Sequence, residues 1–227
     1  MSLKNCRKVS GKTLRLLPLS CSRTLQCLDI GGCFNISANN DVLEVVNALP
    51  NLTELHASGL QWSDEVVGVL IQRIPDLANQ KRRLNDTDGM VYSPWQCLSL
   101  GFSSNLSQTS FREHLLHVSE SLISLALPFC ENIVDNALLG ILGRHLPLIK
   151  FLDLRGNPGL NTLTGWYDGR VSADLSTSQE LTVLGRYSSL TDSSVEETRR
   201  VHPLAAPTLK VILDGGGMGA GIIREYK

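Results

Sequence analysis

The side chains in this sequence best suited to chemistry are six thiols and five imidazoles. The thiols are Cys6, Cys21, Cys27, Cys33, Cys97 and Cys130; the imidazoles are His56, His114, His117, His145 and His202. No two cysteines form a C-x-x-C pair and no histidines cluster beside them, so local spacing predicts no zinc site. His114 and His117 fall three apart on a predicted helix, which supplies two ligands and no third. A thiol nucleophile needs a base in reach. His56 lies one repeat away from Cys27, and a thiol enzyme is not expected. The tail LDGGGMGAG at 213–221 places Gly215, Gly217 and Ala220 at the spacing of a dinucleotide-binding loop. That loop works by bringing backbone N–H groups to a pyrophosphate at a helix N-terminus. Seven residues follow Ala220, with no β-α-β unit and no phosphate-binding lysine, so 215–227 is read as a Gly-rich tail on a decaying last repeat. No catalytic residue, cofactor or metal ligand is expected, and the chain is read as non-enzymatic.

The elements that would position these groups recur. Leu28, Leu55, Leu98, Leu125 and Leu152 hold one place in similar segments, at steps of 27, 43, 27 and 27 residues. The step of 43 is one period plus an insertion of 16. The segments read LQCLDIGGC, LTELHASGL, WQCLSLGFS, LISLALPFC and IKFLDLRGN, with a weaker copy, LTVLGRYSSLTD, from Leu181 and LKVILDGGG from Leu209. Counting back from Ile30 and Cys33 makes SLKNC at 2–6 the tail of a further copy. The chain therefore opens in mid-repeat, either as a fragment or splice form or with an irregular N-terminal cap.

The shared form is L-x-x-L-x-L-x-x-C/N followed by an amphipathic helix, the leucine-rich repeat pattern. A short strand stacks beside its neighbours, the chain turns at the Cys/Asn place, and the helix returns on the outer side. Each buried Leu or Ile contributes about 1.5–3 kcal/mol. No single repeat can bury its own apolar face, so stability is shared between neighbours. Ser10, Ser37, Asp64, Asp135 and Asp192 precede the helices as candidate N-caps, and Pro50, Pro75, Pro147 and Pro203 close them. The expected architecture is one α/β solenoid over 1–227, of about seven or eight repeats. It is curved, with a parallel sheet on the concave side and helices on the convex side.

The period, Cys at three turns (Cys6, Cys33, Cys130) and an acidic residue before the helix (Ile133-Val134-Asp135, Leu190-Thr191-Asp192) resemble the cysteine-containing leucine-rich repeats of F-box proteins. The resemblance covers most of residues 2–214. It implies a protein-binding module that recognises substrates for an SCF-type E3 ubiquitin ligase. The F-box that docks the ligase adaptor is not found in this chain. A partner adaptor would bind through a missing N-terminal segment. The alternative is a non-enzymatic scaffold subunit of another multiprotein assembly, ciliary or mitochondrial.

Strand alternation reads out the concave face. With Leu28 and Ile30 inward, Cys27, Asp29 and Gly31 point out, and the corresponding trios run Glu54-His56-Ser58, Cys97-Ser99-Gly101, Ser124-Ala126-Pro128, Phe151-Asp153-Arg155 and Val183-Gly185-Tyr187. From these, Asp29, Glu54, His56, Ser99, Phe151, Asp153, Arg155 and Tyr187 are taken as candidate partner-binding residues. Asp29, Glu54 and Asp153 make the face mildly acidic. Phe151, Arg155 and Tyr187 supply the aromatic and Arg chemistry of interface hot spots.

Two stretches break the pattern. The insertion at 76–94 carries Lys81-Arg82-Arg83 and reads either as a solvated loop or as a partner-binding or nuclear-import element. The stretch at 161–179 reads as an irregular loop in place of a helix, with Trp166 and Tyr167 either anchoring a partner or covering the end of the core. A net charge of −1 argues against nucleic acid or a charged membrane surface. No apolar run approaches the ~20 residues of a spanning helix, and MSLKNCRKVSGK has no signal-peptide core. Reduced thiols and a cytoplasmic or nuclear location are expected. N-x-S/T sequons at Asn35, Asn51, Asn85 and Asn105 stand against this, although a Ser/Thr-rich chain produces some by chance.

Overall fold

The computed structural model describes residues 1–37, 40–71, 95–115, 121–176, 179–204, 209–214 and 223–226. Seven strands form one parallel sheet in sequence order: β1 (Cys27–Asp29), β2 (Glu54–His56), β3 (Cys97–Ser99), β4 (Ser124–Ala126), β5 (Phe151–Asp153), β6 (Leu181–Leu184) and β7 (Leu209–Asp214). An eighth, β8 (Ile223–Tyr226), adds to β7 antiparallel. Two short helices, α1 (Gly11–Leu14) and α2 (Leu17–Cys21), precede β1. The returning helices are α3 (Asn40–Asn47), α4 (Asp64–Ile71), α5 (Gln108–Leu115), α6 (Asn136–His145), α7 (Thr164–Ser172) and α8 (Asp192–Val201). At the N-terminus Ser2 bridges Asp29, and Leu3 and Asn5 donate to the Asp29 and Gly31 carbonyls, so residues 1–5 run alongside β1 as the tail of a repeat does. This is a leucine-rich-repeat solenoid. The insertion at 76–94, His117, and the Gly-rich tail apart from β8 lie outside the described residues.

One column of aliphatic residues holds the stack together. Leu28, Leu55, Leu98, Leu125, Leu152, Val183 and Val211 are consecutive register partners, and all are buried. Leu154, Leu127 and Leu100 continue the core two residues further along their chains.

In the described turns from β1 to β5 a backbone carbonyl faces the core, and the sequence finds a donor for it. Asn157 is fully buried. Its Nδ2 donates to the Leu127 and Leu154 carbonyls, each at 2.9 Å, and its Oδ1 accepts the Cys130 N–H at 2.8 Å. Ser103 Oγ donates to Leu100 O at 2.7 Å, and the Cys33 thiol to Leu3 O at 3.0 Å. The second repeat has Leu60 at this place and no donor. The Trp62 indole N–H takes over, bonding Ala57 O at 3.0 Å. Buried polar groups need partners wherever water is excluded, which explains why Cys, Asn and Ser interchange here.

Three expectations are corrected. The stretch 161–179 is not a loop throughout, since α7 spans Thr164–Ser172. Its glycines, which read as loop punctuation, serve a close helix–helix contact. A Cβ on Gly169 would lie 2.1 Å from Gly140 O, and one on Gly143 of α6 would lie 2.0 Å from Trp166 O. Trp166 and Tyr167 are buried in this contact, so they cover the core. Second, β6 is shifted by one residue from the expected outward trio. Val183 is buried in the Leu column, and a Cβ on Gly185 would meet Leu190 and Leu213 of the core. Thr182 and Leu184 face out instead, because the pairing follows in–out alternation and not the matching of one Leu to another. At α8 the cap is Thr191, in a reciprocal box with Ser194, one residue before Asp192.

Candidate functional site

The outward strand residues line a concave groove of ≈ 980 Å³. Asp29, His56, Ser99, Phe151, Asp153 and Arg155 line it. Glu54 stands half-buried on the same sheet face between Cys27 and Cys97. Tyr187 does not belong to the strand row. It sits in the turn after β6 with a φ of 57°, and it is 72% exposed.

The acidic tilt is smaller than the residue types imply. Arg155 holds Asp153 in a bidentate pair, Nε to Oδ1 at 2.8 Å and Nη2 to Oδ2 at 2.6 Å. The Asp153 carboxylate is nearly buried. That contact, more than any other, raises the Arg155 guanidinium above its ordinary value, burial opposes it, and Tyr187 adds to it. Asp153 therefore serves to fix Arg155 in place. Asp29 is partly occupied as well, accepting from Gly31 N and Ser2 Oγ. Ser99 Oγ pairs with Ser58 Oγ at 2.6 Å, and Ser58 Oγ also accepts from Gly101 N.

Sequence reasoning missed the rim of the groove. Each described repeat turn up to β6 passes through a left-handed residue: Asn5, Gly32, Gly59, Phe102, Phe129, Gly156 and Tyr187 all have φ between 54° and 87°. Asn and Gly tolerate this region, whereas a bulky residue there costs roughly 1–2 kcal/mol. Three repeats nonetheless place an aromatic ring at this position. Phe102 and Phe129 stack, with centroids 4.7 Å apart and planes 17° apart. Phe129 and Tyr187 follow at 6.5 Å. Gly156 lies between them in the chain, and a Cβ there would strike the Phe129 ring. Phe34 is 70% exposed in the turn of the first full repeat, its ring against Gly59. In a chain with 5% aromatic residues, three of the five phenylalanines stand on this rim instead of in the core. The sequence signal was present in the repeat alignment, as turn positions where a glycine column gives way to Phe.

The thiols divide by place. Cys33 and Cys130 are buried in the turns, and burial pushes the Cys130 thiol up to about 11. Cys27 and Cys97 are half-buried on the concave face. Burial raises the Cys27 thiol, and the neighbouring Glu54 carboxylate, to which it hydrogen-bonds, raises it further. The Cys27 sulfur, a Glu54 carboxylate oxygen and a His56 ring nitrogen lie within 4.8 Å of one another. His114 is elsewhere, bonded to Ser110 Oγ at 3.1 Å and packed over Gly68. Among the described residues no helix is long and apolar enough to cross a membrane.

No protein-family model matches the chain, and no curated protein matches it. Among solved structures it is similar to a chain in the crystal structure of the Rad7 and Elc1 complex in yeast. The TM-score is 0.57 at 17% sequence identity, over 95% of this chain and 58% of that one. The chain thus spans under two thirds of that chain's length, and the likeness is one of fold.

Proposed function

We propose that the chain is a non-enzymatic protein-binding module of the cytoplasm or nucleus, and that it presents bound substrates to an SCF-type ubiquitin ligase. The observation that carries the binding role is the exposed aromatic row Phe102, Phe129 and Tyr187 along the rim of a concave groove. Exposed rings are costly to leave in water and to hold in a left-handed turn. Aromatics beside a fixed Arg, here Arg155, are the usual anchors of a protein interface. The ligase role draws support from the cysteine-containing repeat pattern, and the fold likeness to a chain solved in the Rad7 and Elc1 complex supports a protein partner.

The test is affinity purification of the tagged full chain beside a Phe102→Asn, Phe129→Asn variant. Asn already occupies the equivalent turn at Asn5, so the backbone accepts it. Wild type should recover a substrate protein that carries ubiquitin conjugates, and the variant should lose it. Equal recovery by both chains would refute the groove as the binding wall. Recovery of a large assembly whose members carry no ubiquitin conjugates would replace the ligase reading with the scaffold one.

A further inference from the structure

Cys27, Glu54 and His56 present a thiol, a carboxylate and an imidazole from two adjacent strands. Cys27 and Glu54 are direct register partners on β1 and β2. His56 follows Glu54 by two residues and so leaves the same face of the sheet. All three are half-buried, and their donor atoms lie within 4.8 Å of one another.

A four-coordinate zinc ion has bonds of about 2.0–2.3 Å, which sets its ligand atoms roughly 3.3–3.8 Å apart. The three donors must therefore close by at most roughly 1.5 Å, which side-chain torsions supply while the paired strands stay fixed. A soft sulfur with an imidazole and one carboxylate suits zinc and does not suit the all-oxygen shells of calcium or magnesium. We propose that Cys27, Glu54 and His56 form a three-ligand Zn²⁺ site on the concave face, with the fourth position open to the groove and filled by water. On binding, the Cys27 thiol gives its proton to solvent and the sulfur takes the metal in its place. Thiolate and carboxylate together then balance the charge of the dication.

The site explains an otherwise awkward juxtaposition. Cys27 and Cys97 flank the Glu54 carboxylate on both sides of one row, and the Cys97 thiol interacts electrostatically with both Glu54 and Cys27. Local spacing hides the cluster because its members sit one repeat apart, at 27, 54 and 56. This inference is independent of the partner the groove takes.

The test uses the full chain, reduced and stripped by a chelator, titrated with Co²⁺ as a spectroscopic stand-in for zinc. One equivalent should give tetrahedral visible bands and a thiolate-to-metal charge-transfer band, both displaced by Zn²⁺. Cys27→Ser should abolish the charge-transfer band. Glu54→Gln and His56→Asn should each weaken binding tenfold or more, and Cys97→Ser should leave stoichiometry and band unchanged. Matching urea midpoints would exclude misfolding as the cause. Absence of the band in wild type at millimolar Co²⁺, or its survival in Cys27→Ser, would overturn the assignment.

Discussion

Replacing Asn157 with alanine removes one side chain that serves three buried backbone groups at once. The Cys130 N–H loses its acceptor, Oδ1 at 2.8 Å, and the Leu127 and Leu154 carbonyls each lose a donor at 2.9 Å. The site is fully buried, so water does not replace the amide without opening the stack. An orphaned buried donor costs about 1–3 kcal/mol, and under-satisfied carbonyls cost less each. The loss expected for Asn157→Ala is therefore about 2–4 kcal/mol. Cys130→Ala provides the comparison. Its sulfur contacts to Leu100 O and Pro128 O are both long, at 3.7 Å, so its loss is mainly that of a small buried apolar group, about 1 kcal/mol. Urea unfolding followed by circular dichroism measures both. The midpoint should fall further for Asn157→Ala while the slope is retained. A loss below about 1 kcal/mol, or one no greater than that of Cys130→Ala, would refute the reading of Asn157 as the donor that joins the fourth and fifth strand turns.

Three further outcomes follow from the same geometry. Gly143→Ala should destabilise the chain by about 1–3 kcal/mol in urea unfolding despite alanine's helix preference, because its Cβ would meet the Trp166 carbonyl at 2.0 Å and backbone cannot swing aside. Tyr187→Asn should raise the midpoint slightly, by up to about 1 kcal/mol, since it relieves a left-handed aromatic that buries little, while reducing partner recovery in a pull-down. Alkaline titration should also weaken the fold. The folded Cys130 thiol keeps its proton up to about 11, above its ordinary 9.0. Burial therefore costs nothing at this group below pH 9, and as pH rises from 9 through 11 the unfolded chain sheds the proton first and stability falls by about 2–3 kcal/mol; Cys130→Ala should remove that part of the slope.

The column of Leu28, Leu55, Leu98, Leu125 and Leu152 was legible in the sequence because aliphatic side chains recur at a fixed interval, and register follows from burial of one face. Six of the eight candidate residues do line the groove for the same reason. Three things were not legible. The β6 register was misread because Leu181 and Leu184 mimic the repeat's own spacing, whereas the column uses Val183. The helix at Thr164–Ser172 was hidden by Gly165 and Gly169, which signal a turn when neighbours are unknown and a close helix contact once α6 is in place. The aromatic rim went unread because the turn position is defined by backbone conformation, which Asn, Gly, Phe and Tyr each occupy in different repeats.

Site-specific photo-crosslinking addresses the central claim most directly. A photoreactive amino acid is placed at Phe129 on the rim, at Ser99 in the groove, or at Arg144, which is exposed on the helix α6. Each chain is irradiated in complex with the partner recovered by wild type. Adducts from Phe129 and Ser99 and none from Arg144 are the predicted result. Adducts from Arg144 alone, with Phe129 and Ser99 silent, would contradict the assignment of the inner wall as the surface that binds.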